Sequence, residues 1–90
     1  MNKVLNNEVI IFGKLIRGYN KVRINNQDAI QLILEVADDT DENCINKIYA
    51  YAMTSDRKVI KRFLGKEIGI DGHIITHMGT KLIVDVMALA

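Results

Sequence analysis

The sequence predicts a small all-β domain with one helix: five strands closed into a barrel, the helix lying between the third and the fourth. Three observations carry that reading. Apolar residues recur at every second position through several stretches, which is the period of a pleated strand. One stretch alone, residues 56–64, has helical spacing. The chain has 90 residues, 49% of them hydrophobic, which is enough for one core and one domain, residues 1–90.

Glu8 to Val22 reads as a long first strand. Val9, Ile11, Gly13 and Leu15 share one parity; Ile10, Phe12, Lys14 and Ile16 share the other. Apolar residues on both faces of its first half predict burial on both sides. Gly13, in mid-strand, predicts a bulge or sharp bend. Asn25-Asn26-Gln27-Asp28 has turn composition. Ala29 to Ala37 then alternates cleanly, with Ile30, Leu32, Leu34 and Val36 inward and Gln31 and Glu35 outward. Asp38 to Cys44 is a polar loop.

The third strand, 45–53, has Ile48, Ala50 and Ala52 on one face, small enough for a tight core. Its other face carries Ile45, Lys47, Tyr49, Tyr51 and Met53, an unusual set for plain solvent contact. The helix over 56–64 has a capping hydroxyl in Thr54 or Ser55 and closes at Gly65, the residue suited to a left-handed C′ position. Val59, Ile60, Phe63 and Leu64 form its apolar stripe; Arg57, Lys58, Lys61 and Arg62 face water. A fourth strand ends at Ile74, His77-Met78-Gly79-Thr80 makes a tight hairpin, and Lys81 to Leu89 is the fifth strand. This order is that of the OB-fold, a five-stranded Greek-key barrel. An open α+β sheet with the helix on one face has the same tally.

Composition narrows the function. No run approaches the roughly 18 apolar residues of a membrane span, and the N-terminus has no apolar core of a signal peptide. Cys44 is the sole cysteine, which excludes an internal disulfide and suits a reducing cytoplasm. The net charge is +1, yet the charges segregate. Lys14, Arg17, Lys21 and Arg23 form a basic run without acids, and Asp38, Asp39, Asp41 and Glu42 an acidic one. The acidic spacing fits no EF-hand loop. His73 and His77 are far from Cys44 and lack the ligands for tetrahedral zinc. No nucleophile, base and oxyanion site come together, and the glycines of 65–72 form no phosphate-binding loop. A non-enzymatic protein without metal or cofactor is expected.

Several segments, in consistent order, resemble the single-stranded DNA-binding proteins of bacteria and phages, with PriB-like primosomal proteins as near relatives. They are Asn2-Lys3-Val4, Val9-Ile10-Ile11-Phe12-Gly13-Lys14-Leu15, Ile45-Asn46-Lys47-Ile48, and Lys66-Glu67-Ile68-Gly69-Ile70-Asp71-Gly72-His73-Ile74. The resemblance implies that Tyr51 occupies a base-stacking position, Ile45 one that is usually tryptophan, and Lys47 a basic position between them. It also implies losses. Val36-Ala37-Asp38-Asp39 stands where the second strand of relatives ends in an aromatic, the long β4–β5 finger is cut short, and the acidic tail with its terminal phenylalanine is missing. Weaker DNA binding and no tail-mediated recruitment are expected.

Sequence-tolerant binding of a single strand needs flat π-faces for bases and cations that follow the phosphates. The candidates here are Tyr49 and Tyr51 for bases, and Lys14, Arg17, Lys21, Arg23 and Lys47 for phosphates, with Lys81 as a further cation. Two tyrosines could equally be half-buried strand aromatics covering a barrel mouth or a dimer contact. The leading reading is a single-stranded DNA-binding protein in replication or recombination of a phage or mobile element. A PriB-like module binding a replisome protein is the alternative, and an RNA-binding OB domain a third. A barrel buries only one parity of a strand, so the outward pair Ile10 and Phe12 needs a second surface. A homodimer or homotetramer through that strand, as in the relatives, is therefore expected.

Overall fold

The computed structural model describes residues 7–90 except 39, 42 and 78. Asn2-Lys3-Val4, half of the acidic run and the centre of the last hairpin therefore lie outside the described residues. The elements are β1 (Glu8–Ile24), β2 (Gln27–Ala37), β3 (Ile45–Ala52), α1 (Arg57–Lys61), β4 (Glu67–Ile75) and β5 (Lys81–Leu89). The strands close in the order β1-β2-β3-β5-β4, with β3 and β5 parallel and every other pair antiparallel. This is the OB-fold, not the open sheet. No helix among the described residues is long and apolar enough to cross a membrane.

β1 serves both halves of the barrel. Glu8 to Lys14 pairs with β4, and Lys14 to Ile24 with β2. The ladder to β4 runs regularly through Gly13, so of the bulge or sharp bend expected there the bulge is not formed. Gly13 is instead a close approach: a Cβ would stand 2.7 Å from the carbonyl oxygen of Glu35. The irregularities follow, between Leu15 and Arg17 and between Arg17 and Asn20. The β1–β2 hairpin turns on two residues, Asn25 and Asn26, with φ of 52° and 63°. Asparagine tolerates that left-handed pair, which matches the twist of the flanking strands. β2 therefore starts at Gln27, two residues ahead of its expected start.

Inside the barrel the alternation holds. Leu15, Ile30, Leu32, Leu34, Ile68 and Ile70 are fully buried, and Ala50 and Ala52 keep β3 close to them. The helix is shorter than its apolar spacing predicts: it ends at Lys61, and the chain tightens into turns in which the Phe63 N–H donates to the Ile60 carbonyl and the Leu64 N–H to the Lys61 carbonyl. Ile60 and Phe63 reach the core, whereas Val59 and Leu64 stay exposed. The N-cap is Asp56, whose carboxylate accepts from the Lys58 N–H at 2.9 Å; Thr54 instead accepts from the Asp56 N–H. Gly65 takes the left-handed conformation expected of it (φ 78°) and donates to the Leu15 carbonyl at 2.7 Å, which ties the helix end to β1. Where α1 docks, β1 carries Gly18; a Cβ there would stand 2.6 Å from Ile60 Cγ2.

Ile60 thus plugs one end of the core. Ile60→Ala should cost about 2–5 kcal/mol of stability, read as a lower urea midpoint at constant slope. An unchanged midpoint would mean that the helix does not seal the barrel.

Candidate nucleic-acid interface

In an antiparallel pair, directly opposed residues project from the same face. The register therefore shows which residues share the outer face of the β1–β2–β3 sheet. Lys14 lies opposite Glu35, and Glu35 opposite Lys47. Arg17 lies opposite Ile33, and Ile33 opposite Tyr49. Asn20 lies opposite Gln31, Gln31 opposite Tyr51, and Tyr51 pairs onward with Ile83 of β5. Five of the seven predicted nucleic-acid contacts, Lys14, Arg17, Lys47, Tyr49 and Tyr51, are thus brought to one face. Glu35, between two lysines, offsets part of their charge.

Lys21 and Arg23 are not on it. The extra β1 residue between Leu15 and Arg17 rotates Arg17 onto the face of Lys14, and the second irregularity reverses the phase again. Lys21 lies opposite the core residue Ile30, and Arg23 opposite Asp28, so both project from the other side of the hairpin. Arg23 is also engaged, with Nη1 3.3 Å from Asp28 Oδ1 and Nη2 donating to the Asn26 carbonyl at 2.6 Å.

The two tyrosines differ. Tyr49 is 51% exposed. Tyr51 is half-buried and its hydroxyl accepts from Gln31 Nε2 at 3.3 Å. A third aromatic, Tyr19, escaped the reading of the sequence. It is half-exposed, with the Arg17 guanidinium 5.3 Å from its ring centroid, and its carbonyl accepts from Arg57 Nε at 2.9 Å. Its i+2 spacing from Arg17 was the available signal. Beyond Tyr51 the outer face has its own apolar floor, where Ile24, Ala29 and Ile83 are buried with Val22, Tyr51 and Ile75 against them. Lys81 lies opposite Ile75 on the neighbouring strand pair.

A second outer surface lies on β1, β4 and β5. Ile10, Asp71 and Val86 form one row across it, and Phe12, Gly69 and Ala88 the next. Ile10, Phe12 and Val86 are 59–65% exposed, so burial of both faces of β1 does not hold within one chain. Phe12 lies over Gly69, where a Cβ would meet its ring at 2.9 Å. From Val9 to Gly13, β1 has no second partner strand among the described residues. Among those residues no group of three or more His, Cys, Asp or Glu is placed to hold a metal ion.

The closed five-stranded barrel with its helix between β3 and β4 is that of the OB-fold, in which the strand 2–3 face of other members takes oligonucleotides and oligosaccharides. No protein-family model matches the chain, and no curated protein matches it in sequence. Solved structures do match. The dimeric N-terminal domain of PriB from Thermoanaerobacter tencongensis aligns with a TM-score of 0.73 and 13% identity, covering 96% of this chain and 98% of that one. PriB from Ralstonia solanacearum aligns at 0.71 and 11% identity, covering 96% and 100%. A deletion mutant of the single-stranded DNA-binding protein from Thermus aquaticus aligns at 0.66 and 16% identity, covering 94% of this chain and 41% of that one. The chain thus shares the OB-fold of the PriB and single-stranded DNA-binding proteins.

At the end of the face beside Ile45 and Lys47, the β2–β3 loop is organised by Asp38. Its carboxylate accepts from the Thr40 hydroxyl at 2.6 Å and the Thr40 N–H at 2.8 Å. These bonds, the side-chain one foremost, hold its pKa below the usual carboxylate value. The folded pKa is depressed, so this contribution to loop order is present above the ordinary value and is lost as pH falls through the folded one. Thr40→Val should move the Asp38 pKa upward in an NMR titration. A value that stays put would mean the hydroxyl is not its partner.

Proposed function

We propose that the chain is a binding protein for single-stranded DNA and not a catalyst. The strand lies across the outer face of β2 and β3, with bases on Tyr49 and Tyr51 and phosphates along Lys14, Arg17 and Lys47. The observation that supports this is the register that brings those five side chains to one exposed face. Tyr19, with Arg17 on its ring, extends the aromatic set at the β1 side. Lys21 and Arg23 fall outside the track. The setting is replication or recombination, of a phage or other mobile element. The fold neighbours are named as PriB and single-stranded DNA-binding proteins, which agrees with this reading. With few aromatics, affinity leans on phosphate charge and falls steeply with salt.

Fluorescent oligo-dT titrated at two salt concentrations tests this. Tyr49→Ala should weaken binding by about 1–3 kcal/mol while leaving the fold intact. Tyr51→Ala should weaken it similarly, with some loss of stability from its half-buried ring. Neutralising Lys14, Arg17 and Lys47 together should flatten the log–log salt slope by about 0.7 per true contact. The helix pair Lys58 and Lys61 is the control and should leave it alone. Absence of binding at low salt would shift the reading to a PriB-like module for a replisome protein.

The same reading includes self-association through Ile10 and Phe12, now joined by Val86. Exposed apolar side chains beside a strand edge are a liability unless a partner covers them, and a two-fold pairing would join two short DNA paths into one. Sedimentation at micromolar concentration should show a dimer or tetramer, and Ile10→Glu should shift it to monomer. A monomer in the unmodified protein sinks this part of the reading.

A further inference from the structure

Past Tyr51, the outer face ends in a hollow of about 420 Å³. Its size is that of a small-ligand site. Ile24, Met53, Ile75 and Ile83 supply apolar wall, and Gln27 and Asp85 supply polar groups. Two side-chain pairs brace its rim. His73 Nδ1 is 2.8 Å from Asp85 Oδ2, and His77 Nε2 is 3.3 Å from Asn25 Oδ1. Asp85 owes its position to a bulge: Asp71 pairs with Val86 and Gly72 with Val84, which leaves Asp85 as the extra residue of β5. Bulges re-aim side chains in this way. The apolar floor beneath Tyr51 runs into the same wall through Ile24, Ile75 and Ile83.

We infer that this hollow takes one unstacked nucleobase and prefers cytosine to thymine. The inference rests on the proposed binding of single-stranded DNA and adds base readout to it. A nucleobase has apolar faces and a hydrogen-bonding edge, which matches apolar walls with a polar rim. An unstacked base offers its Watson–Crick edge to such groups. The Asp85 carboxylate offers acceptor sites beyond the one facing His73. Cytosine presents an N4 amino donor where thymine presents the O4 acceptor. A carboxylate facing that 4-position therefore bonds cytosine N4 and repels thymine O4, leaving thymine only its N3–H to offer, while the Gln27 carboxamide can donate to and accept from either. The tyrosine face is indifferent to base identity; the hollow is not.

Short fluorescent oligo-dC, oligo-dT and oligo-dT carrying a single cytosine decide it. Oligo-dC should bind about tenfold more tightly than oligo-dT. The single cytosine should recover most of that gain, because one hollow holds one base. The ratio should persist as salt rises, since the phosphate contribution cancels between the two oligonucleotides. Asp85→Asn, whose amide can face either base, should bring the ratio close to one without altering the circular-dichroism spectrum. Equal binding of oligo-dC and oligo-dT overturns the hollow while leaving the proposed function in place. A preference that survives Asp85→Asn overturns the role given to Asp85. Failure to bind any oligonucleotide overturns both readings together.

Discussion

Lys14 is the residue at which β1 changes partner, facing Glu67 of β4 on one side and Glu35 of β2 on the other. Closing a five-stranded barrel requires one strand to serve two ladders at an angle, and β1, with 17 residues, is that strand. The bend needs a close approach at Gly13 and irregular pairing just beyond it. Both the core and the outer face follow from this. Leu15 drops inward opposite Leu34, while Arg17 emerges beside Lys14 and not against it. Gly18 leaves room for Ile60, so the helix that seals the barrel is positioned by the same few residues of β1.

The barrel's outside divides into two surfaces of different chemistry. On β2 and β3, aromatic and cationic side chains alternate with half-buried Ile33 and Gln31, a mixture that suits a ligand with flat apolar bases and charged links. On β1, β4 and β5, Ile10, Phe12 and Val86 stand with only Asp71 as a charged neighbour in their rows. In the proposed function the first surface takes the DNA strand and the second another copy of the chain. The two surfaces share β1, the first using its Lys14 and Arg17 and the second its Ile10 and Phe12.

Charge placement sets the character of the first surface more than charge count. Of the basic run in β1, Lys14 and Arg17 share the face with Lys47, while Arg23 is spent on Asp28 and the Asn26 carbonyl within the hairpin. Glu35 sits between Lys14 and Lys47 and lowers the potential there. A face built this way is weakly cationic, and in the proposed binding mode base stacking on Tyr49 and Tyr51 supplies the rest.

Residue alternation alone identified the barrel and most of its lining. Ile30, Leu32, Leu34, Ala50 and Ala52 are buried as their parity required, because a regular strand carries its phase from one residue to the next. The same rule placed Tyr49, Tyr51 and Lys47 on one outer face. It failed where phase is broken. A β1 read as one regular strand would set Lys14 apart from Arg17, Lys21 and Arg23, and read as one basic run it would put all four in a single path. Pairing with β2 instead joins Lys14 to Arg17 and turns Lys21 and Arg23 away. The short helix likewise left Val59 and Leu64 outside, and Asp56 rather than a hydroxyl became its cap. Nor could the sequence show the hollow, whose walls come from β1, β2, β4 and β5 and whose Asp85 is aimed by a bulge. Period along a strand is a local property and is legible in the chain; the phase after a bulge, and which strands become neighbours, are decided only when the barrel closes.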